Sequence, residues 1–333
     1  MMTSTEILNA KSCEDIFVND ITATKELFRQ LAKQYHPDIS KEKCAIECFQ
    51  KLNTLYNEAL DKISKGIWYE KDVILLESKA GKKYKLKYLI MHPFELGAIY
   101  VGSKHLIYVL DKNREKFYKN YLDILKKFKY ASSEMEKEFK RFLPNVVDTF
   151  ELKTGEFCIV ISKSPDEFLL PDILEMYKSK SDAIDARHAA WINSRLLNLS
   201  CFFKYNNIVY NGFSPINCLI NPKEHNLILV GGFWYSTEHG EKMIGTSSDI
   251  FDVIPVSVKT SKCSSFITDI ESIRMIIRKL NSKDMPEAFV KWVDNGSTND
   301  AFLEFKNWEK ALLSSFGERK FIPLDLSEKD IYK

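Results

Sequence analysis

Residues 208–220, with the sequence IVYNGFSPINCLI, form the most informative pattern in the larger part of this chain. Apolar residues open and close the stretch, and its middle holds Asn211, Gly212 and Asn217, which are residue types typical of a tight loop. A second apolar run at 227–230 leads directly into Gly231 and Gly232. The pattern predicts a hairpin over 208–234, with a loop between its short strands.

Between residue 71 and this hairpin, the pattern of apolar and charged residues changes twice. Short β-prone runs divided by turn residues predict an antiparallel meander, and a charged stretch then predicts a helix. A strand pair follows on either side of Lys153 to Gly155, and mostly helices are expected from Pro171 onward. The predicted strands of the meander are 73–76, 84–91, 98–101 and 106–110, divided at 80–81, 92–93 and 102–103, and the predicted helix covers 113–142.

The amino-terminal segment has a different texture. Residues 22–64 contain one proline and no glycine, and their apolar residues recur at 3–4 spacing, which predicts a helical hairpin. The first helix is expected to begin at Thr22 or Thr24 and to run to Tyr35, and the second is expected to be capped by Ser40. We expect a domain boundary near 66–70.

Charged residues mark one face and one end of the first predicted helix. Lys25, Arg29 and Lys33 recur every four residues and therefore share a helix face. Pro37 fixes its own φ and moves His36 out of the α region, so the chain must turn. The His36 ring and the Asp38 carboxylate are then expected at the tip of a loop.

In residues 28–38, FRQLAKQYHPD, together with 49–53, FQKLN, and Tyr56, the segment resembles a J domain. J domains are the modules of DnaJ-type co-chaperones that stimulate ATP hydrolysis by DnaK-type heat-shock chaperones. The resemblance implies that His36, Pro37 and Asp38 form the signature loop, and that Lys25, Arg29 and Lys33 bind an acidic surface of the chaperone. The family's first helix corresponds only to 13–18, and no cysteine repeat or glycine-rich linker follows.

The remainder of the chain resembles a protein kinase in the order of its predicted elements. The likeness is sharpest at 208–220, which is similar to a kinase catalytic loop, at 231–234, where kinases carry Asp-Phe-Gly, and at 268–272, which is similar to the start of the helix that anchors the large lobe. The resemblance implies a fold of two lobes, with a nucleotide cleft between them.

Several residues depart from what phosphoryl transfer requires. Gly212 stands where a kinase has its catalytic Asp, and Gly231 or Gly232 stands where an Asp holds Mg²⁺. Glycine has no side chain that could bind a metal, so only Asn217 survives as a potential ligand. The glycine-rich loop is reduced to Gly97, and Lys112 falls one position late for the phosphate-pairing lysine.

Composition limits the remaining choices. The chain has 333 residues, a net charge of +2 and 45% hydrophobic residues, which indicates a globular protein without a phosphate-backbone surface. Its seven cysteines show no repeated spacing, and no stretch is long enough to span a membrane, so a cytoplasmic location is expected. Cys44 and Cys48 lack a second ligand pair, so we expect neither a metal nor a cofactor.

These observations combine into one prediction with two alternatives. An all-α J domain over 1–66 precedes an α+β kinase-like domain over 67–333, with a small lobe over 71–163 and a large lobe over 164–320. The chain is expected to be a co-chaperone without catalytic residues, which binds a DnaK-type chaperone and an unknown client protein, but no membrane and no nucleic acid. The alternatives are a phosphotransferase that uses Asn217 with a carboxylate such as Asp252, and a nucleotide-sensing regulator.

Overall fold

The computed structural model describes residues 2–10, 12–40, 42, 44–65, 68, 72–318, 320 and 322–332. Its chain forms two compact units. The first comprises Met1–Leu75 with Tyr84–Lys87, and the second comprises Leu76–Lys83 with Tyr88–Lys333. Of the predicted boundary at 66–70, only Trp68 lies within the described residues.

The first unit is mainly helical, with two short extended runs at 73–75 and 84–87. It contains α1 (Ser4–Asn9), a 3-10 turn (Cys13–Asp15), α2 (Ile21–Gln34) and α3 (Ala45–Lys65). Helices α2 and α3 pack on each other through a stacked pair of rings, Phe28 and Tyr56, whose centroids are 3.9 Å apart. Helix α1 was not predicted from the sequence, because its only buried residue is Ile7. Thr3 and Glu6 stabilise its start by capping each other's backbone amides.

Both predicted caps of the helical hairpin are wrong. Asp20 caps α2 one turn earlier than expected, because its Oδ1 accepts a hydrogen bond from the Ala23 amide at 2.7 Å. The Thr24 side chain is buried, and its hydroxyl donates to the Val18 carbonyl instead. Ser40 accepts from the Glu42 amide at 3.4 Å, within a loop that ends before α3 begins at Ala45.

The small lobe of the second unit is built on a five-stranded antiparallel sheet with the strand order β3-β4-β5-β7-β6. Strands β1 and β2 form a separate two-stranded sheet, and the residues of both strands are divided between the two units. The elements are, in chain order, β1 (Val73–Glu77), β2 (Lys83–Lys87), β3 (Ile90–Phe94), β4 (Gly97–Val101), β5 (His105–Leu110), α4 (Glu115–Lys127), α5 (Ser133–Lys140), β6 (Val146–Glu151) and β7 (Phe157–Ser162). The strand pair predicted around 153–155 is confirmed as β6 and β7.

Two predictions for this lobe are wrong. The run 84–91 was expected to be one strand, but it is divided between β2 and β3. Pro93 was expected to end that strand, yet it lies inside β3 opposite Ala98. A proline is tolerated there because β3 is an edge strand, which leaves one side of its backbone without a partner strand. The single helix expected over 113–142 is two helices, because Ser132 caps a new one.

The large lobe is mainly helical. Its elements are β8 (Phe168–Leu169), α6 (Leu170–Ser179), α7 (Ala186–Tyr205), β9 (Ile208–Val209), β10 (Cys218–Asn221), β11 (Asn226–Leu229), β12 (Thr237–Glu238), α8 (Val256–Ser261), α9 (Phe266–Leu280), α10 (Glu287–Asp294), α11 (Ala301–Phe316) and α12 (Glu328–Ile331). Strand β10 pairs with both β11 and β8, and β12 pairs with β9. Helix α9 is buried along most of its length, so it forms the centre of this lobe.

In the part of the chain that is described, none of the helices combines the length and the apolar character that crossing a membrane requires.

Candidate functional site

In the first unit, the predicted loop tip follows the end of α2. The Asp38 carboxylate is exposed, at 86%, while the His36 ring packs edge-on against Phe49 with centroids 5.4 Å apart. His36 Nδ1 accepts a hydrogen bond from the Asp38 amide at 3.2 Å, and its carbonyl accepts from the amides of Ile39 and Ser40. The loop is therefore held in one turn that presents Asp38 to solvent.

The basic face of α2 lies on the outside of the unit. Lys25, Arg29 and Lys33 are all exposed, whereas Leu31 and Tyr35 of the same region are buried in the core. Three cations thus share one accessible helix face that leads toward the loop at 36–38. The structure places all six residues predicted for chaperone binding on the surface or at the loop, with only the His36 ring partly buried.

In the second unit, the loop at 210–217 is supported from below by α9. The Asp269 carboxylate is fully buried and accepts hydrogen bonds from the backbone amides of Tyr210 and Asn211, both at 2.8 Å. Burial raises the pKa of Asp269 to about 7, although the two backbone bonds act in the opposite direction. The Asn211 side chain adds a bond to the Tyr235 carbonyl at 3.2 Å.

Gly212 and Asn217 face each other across this loop. Asn217 Nδ2 donates to the Gly212 carbonyl at 2.9 Å, so the asparagine bonds the backbone of its own loop. A Cβ at residue 212 would lie 2.6 Å from the Cα of Gly232. Position 212 therefore offers no carboxylate, and the surrounding backbone leaves no space for a larger residue.

Gly231 and Gly232 are equally confined. A Cβ at Gly231 would lie 2.2 Å from Asn217 Oδ1 and 2.6 Å from the Tyr108 hydroxyl oxygen. Gly232 has a φ of 77°, which favours glycine, and the Tyr210 hydroxyl donates to the Gly231 carbonyl. The residues present do not fit a magnesium ion in the place that the kinase resemblance implies, because carboxylates are the ligands that Mg²⁺ requires.

Aromatic side chains fill the space between the two lobes. Phe94 and Tyr108 of the small lobe contact Trp234 of the large lobe, with ring centroids 5.4 and 5.0 Å away. Tyr121 of α4 stacks on the same tryptophan, which is only 1% exposed. We refer to Phe94, Tyr108, Tyr121 and Trp234 as the aromatic cluster. It lies between the two lobes, where the kinase resemblance implies a nucleotide cleft.

Polar contacts hold the lobes together around this cluster. The Tyr235 hydroxyl donates to Glu95 Oε1 at 2.6 Å, which ties the turn between β3 and β4 to the large lobe. His92 Nε2 of β3 lies 2.8 Å from Asp172 Oδ1 of α6. Asn120 of α4 donates to the carbonyls of Phe233, Trp234 and Ser236. These contacts fix the two lobes to each other around the aromatic cluster, and the space between the lobes beside the 210–217 loop stays open.

Two other residues named in the sequence analysis are exposed, Asp252 and Lys112. Asp252 is exposed, whereas Asp249 contacts the loop, because the Ser214 hydroxyl donates to Asp249 Oδ2 at 2.7 Å. Both carboxylates belong to one 3-10 segment, Ser248–Val253, and nothing in the sequence shows which of them faces inward. Lys112 follows β5 and lies 3.7 Å from Glu156, with 65% of its side chain exposed, so it points away from the aromatic cluster.

An open cleft of about 1030 Å³ lies beside the loop. Its walls include Phe94, Leu174 and Ile216, and its rim carries charges of both signs, among them Asp249 and Lys279. Lys279 Nζ donates to Asp249 Oδ2 at 3.1 Å, so part of this charge is already paired. The cleft therefore combines apolar walls with a rim on which Lys279 and Asp249 neutralise each other.

Taken together, the five-stranded sheet, the helical large lobe and the loop above α9 define a mixed α/β fold of two lobes, which is that of the protein kinases. The BubR1 kinase domain is similar to this chain, with a TM-score of 0.52 and 12% sequence identity over 72% of this chain and 83% of that domain. A rhoptry kinase from Toxoplasma gondii is also similar, with a TM-score of 0.48 and 12% identity over 76% of this chain and 86% of its own. No family model and no curated protein matches the chain. The likeness to the BubR1 kinase domain shows a kinase-like fold by structure alone.

Proposed function

We propose that this protein is a J-domain co-chaperone that stimulates ATP hydrolysis by a DnaK-type heat-shock chaperone. The observation that carries the proposal is the exposed loop at 36–38, which follows a helix with three cations on one accessible face. An exposed carboxylate can accept charge-assisted hydrogen bonds from a partner arginine, and a basic face accelerates approach to an acidic surface. The seven cysteines are free thiols, which supports a cytoplasmic setting for this activity.

In this proposal, the kinase-like unit does not transfer phosphate and instead binds the client or another partner protein. Glycines at 212, 231 and 232 support this role, because each lies too close to neighbouring atoms to be replaced by aspartate without a shift. The aromatic cluster supports it as well, since it occupies the expected nucleotide space. The cleft of about 1030 Å³ is a surface that could accept an extended partner segment.

The two alternative functions have less support. A phosphotransferase that uses Asn217 and Asp252 would need both side chains at one reaction centre, but Asn217 bonds its own loop and Asp252 is exposed. A nucleotide-sensing regulator would need room for a nucleotide between the lobes, and the aromatic cluster fills part of that space. We therefore retain the co-chaperone as the proposed function.

The test is steady-state ATP hydrolysis by a DnaK-type chaperone in the presence of the full chain. We expect stimulation by the wild type and its loss in His36→Gln, because the substitution removes the imidazole that packs on Phe49 and orders the loop. Lys65→Gln is the matched control, since Lys65 is exposed at the far end of α3 and should not affect stimulation.

A different experimental result would contradict each part of the proposal. Equal stimulation by wild type and His36→Gln would remove the loop from the mechanism, and absence of stimulation across a panel of DnaK-type chaperones would reject the co-chaperone function. Phosphate release by the protein alone, without any chaperone, would instead show that the kinase-like unit is an enzyme.

A further inference from the structure

The carboxyl-terminal segment contacts the junction between the two lobes. Helix α12 packs against α6, and Ile331 and Tyr332 lie against the core of the second unit. Leu324 and Leu326 are buried, so apolar contacts hold the segment on both sides of α12. Ser327 and Asp330 form a capping box at the start of α12, which gives the segment a defined shape.

Tyr332 completes a chain of polar contacts across the junction. Its hydroxyl donates to Asp172 Oδ2 at 2.9 Å, while Asp172 Oδ1 lies 2.8 Å from His92 Nε2. Asp172 is 94% buried in α6, and its two oxygens thus have one partner in the small lobe and one in the terminal segment. Burial and the Asp172 carboxylate both raise the pKa of Tyr332, so the phenol stays neutral and remains a donor.

We propose that residues 324–332 form a latch that keeps the two lobes closed over the aromatic cluster by holding Asp172 in position for His92. The Tyr332 ring lies 6.1 Å from Phe168, so the latch also covers β8, the first strand of the large lobe. One Asp172 oxygen accepts the hydrogen bond from Tyr332, and the other lies 2.8 Å from His92 Nε2 without the geometry of a hydrogen bond, so the Tyr332 hydroxyl is the donor that fixes the carboxylate beside His92. Removal of the latch would then loosen the contact between β3 and α6.

Hydrogen exchange of the full chain, followed by mass spectrometry, tests the latch. We expect Tyr332→Phe to speed exchange about tenfold in residues 94–97 and 231–236, which contact each other from opposite lobes, because a hydrogen bond to a charged group is lost. Exchange in α9 should not change. The matched control is Tyr205→Phe, which removes a hydroxyl from a tyrosine that is 48% exposed at the end of α7.

A second variant separates a latch from a general loss of stability. His92→Gln acts at the other oxygen of Asp172, so the double variant should open the cleft no more than the stronger single variant does. If the two effects multiply, the contacts are independent and the proposed latch is wrong. Unchanged exchange in both cleft segments of Tyr332→Phe, or equal acceleration in α9, would also overturn it.

Discussion

At the scale of single residues, Asp269 explains how the loop at 210–217 keeps its shape with a glycine at residue 212. The carboxylate bonds two backbone amides, and Asn217 bonds a backbone carbonyl, so the loop is held through its main chain. None of these bonds depends on the side chain at residue 212. The hydrogen bonds that hold the loop are therefore independent of the residue type at position 212.

His188 provides a prediction at the same scale. Its ring is 5% exposed and accepts a hydrogen bond from Trp191 Nε1 at 3.2 Å, and burial lowers its pKa to about 4. Below about pH 6.5 the His188 imidazole therefore binds a proton in the unfolded chain but not in the folded chain. Neutral His188 therefore makes a contribution to the free energy of unfolding that is fully present above pH 6.5. This contribution is lost as the pH falls toward 4, by at most about 3 kcal/mol.

The measurement is urea denaturation of wild type and His188→Gln between pH 4 and 7. The free energy of unfolding of the variant should fall less steeply on acidification, and the difference between the two curves isolates His188 from all other titrating groups. Parallel curves over this range would show that the histidine does not titrate differently on folding.

Sequence motifs predicted which residue types surround the loop at 210–217. They did not predict which way a side chain points. The positions of Gly212, Gly231 and Asn217 around one loop follow from the kinase-like pattern, and the structure brings them together. The choice between Asp249 and Asp252 could not be made, because both belong to an irregular segment without a repeating pattern of burial. The aromatic cluster was missed for a related reason: its members are far apart in the chain.

At the scale of elements, a buried ion pair joins α9 to α11. Arg274 Nη2 lies 3.0 Å from Glu304 Oε2, with both side chains at most 2% exposed, and Glu304 Oε1 accepts from the Thr298 amide. We expect Glu304→Gln to lower the free energy of unfolding by about 3–5 kcal/mol, because Arg274 would remain as a buried charge without its counterion. Chemical denaturation of the two proteins measures the change.

The exposed pair Lys291 and Glu287 on α10 provides the comparison. Glu287→Gln should cost less than about 1 kcal/mol, because exposed pairs contribute little to stability. The double variant Arg274→Met/Glu304→Leu should recover much of the loss, since it removes both charges together. If Glu304→Gln is as mild as Glu287→Gln, the buried pair is not essential to the packing of α9 on α11.

Elements with a clear periodic pattern were predicted well, and their ends were not. Strands β6 and β7 were found because a turn sequence separates two apolar runs. The division between β2 and β3 was missed, because β-prone residues continue through it and only tertiary pairing separates the two sheets. Pro93 misled the prediction, since its tolerance depends on β3 being an edge strand, which local sequence does not reveal.

At the scale of the whole molecule, the aromatic cluster between the lobes predicts no response to nucleotide. Millimolar Mg²⁺-ATP should leave the unfolding temperature of the full chain unchanged, because a ligand raises stability only by binding the native state, and the cluster fills part of the space that the kinase resemblance implies for nucleotide. Differential scanning fluorimetry with a nucleotide-binding kinase as positive control makes the measurement. A rise that saturates with ATP concentration would revive the nucleotide-sensing alternative.

The glycine at 231 has a consequence for any attempt to build a metal ligand at this site. Because a Cβ there would meet Asn217, Tyr108 and Trp234 at once, a Gly231→Asp substitution produces a misfit before it produces a metal ligand. Room for the carboxylate would require smaller residues at Tyr108 and Trp234 first, and each of those substitutions alone leaves a cavity that costs stability. A carboxylate at residue 231 therefore needs several simultaneous substitutions, and a single codon change cannot supply it.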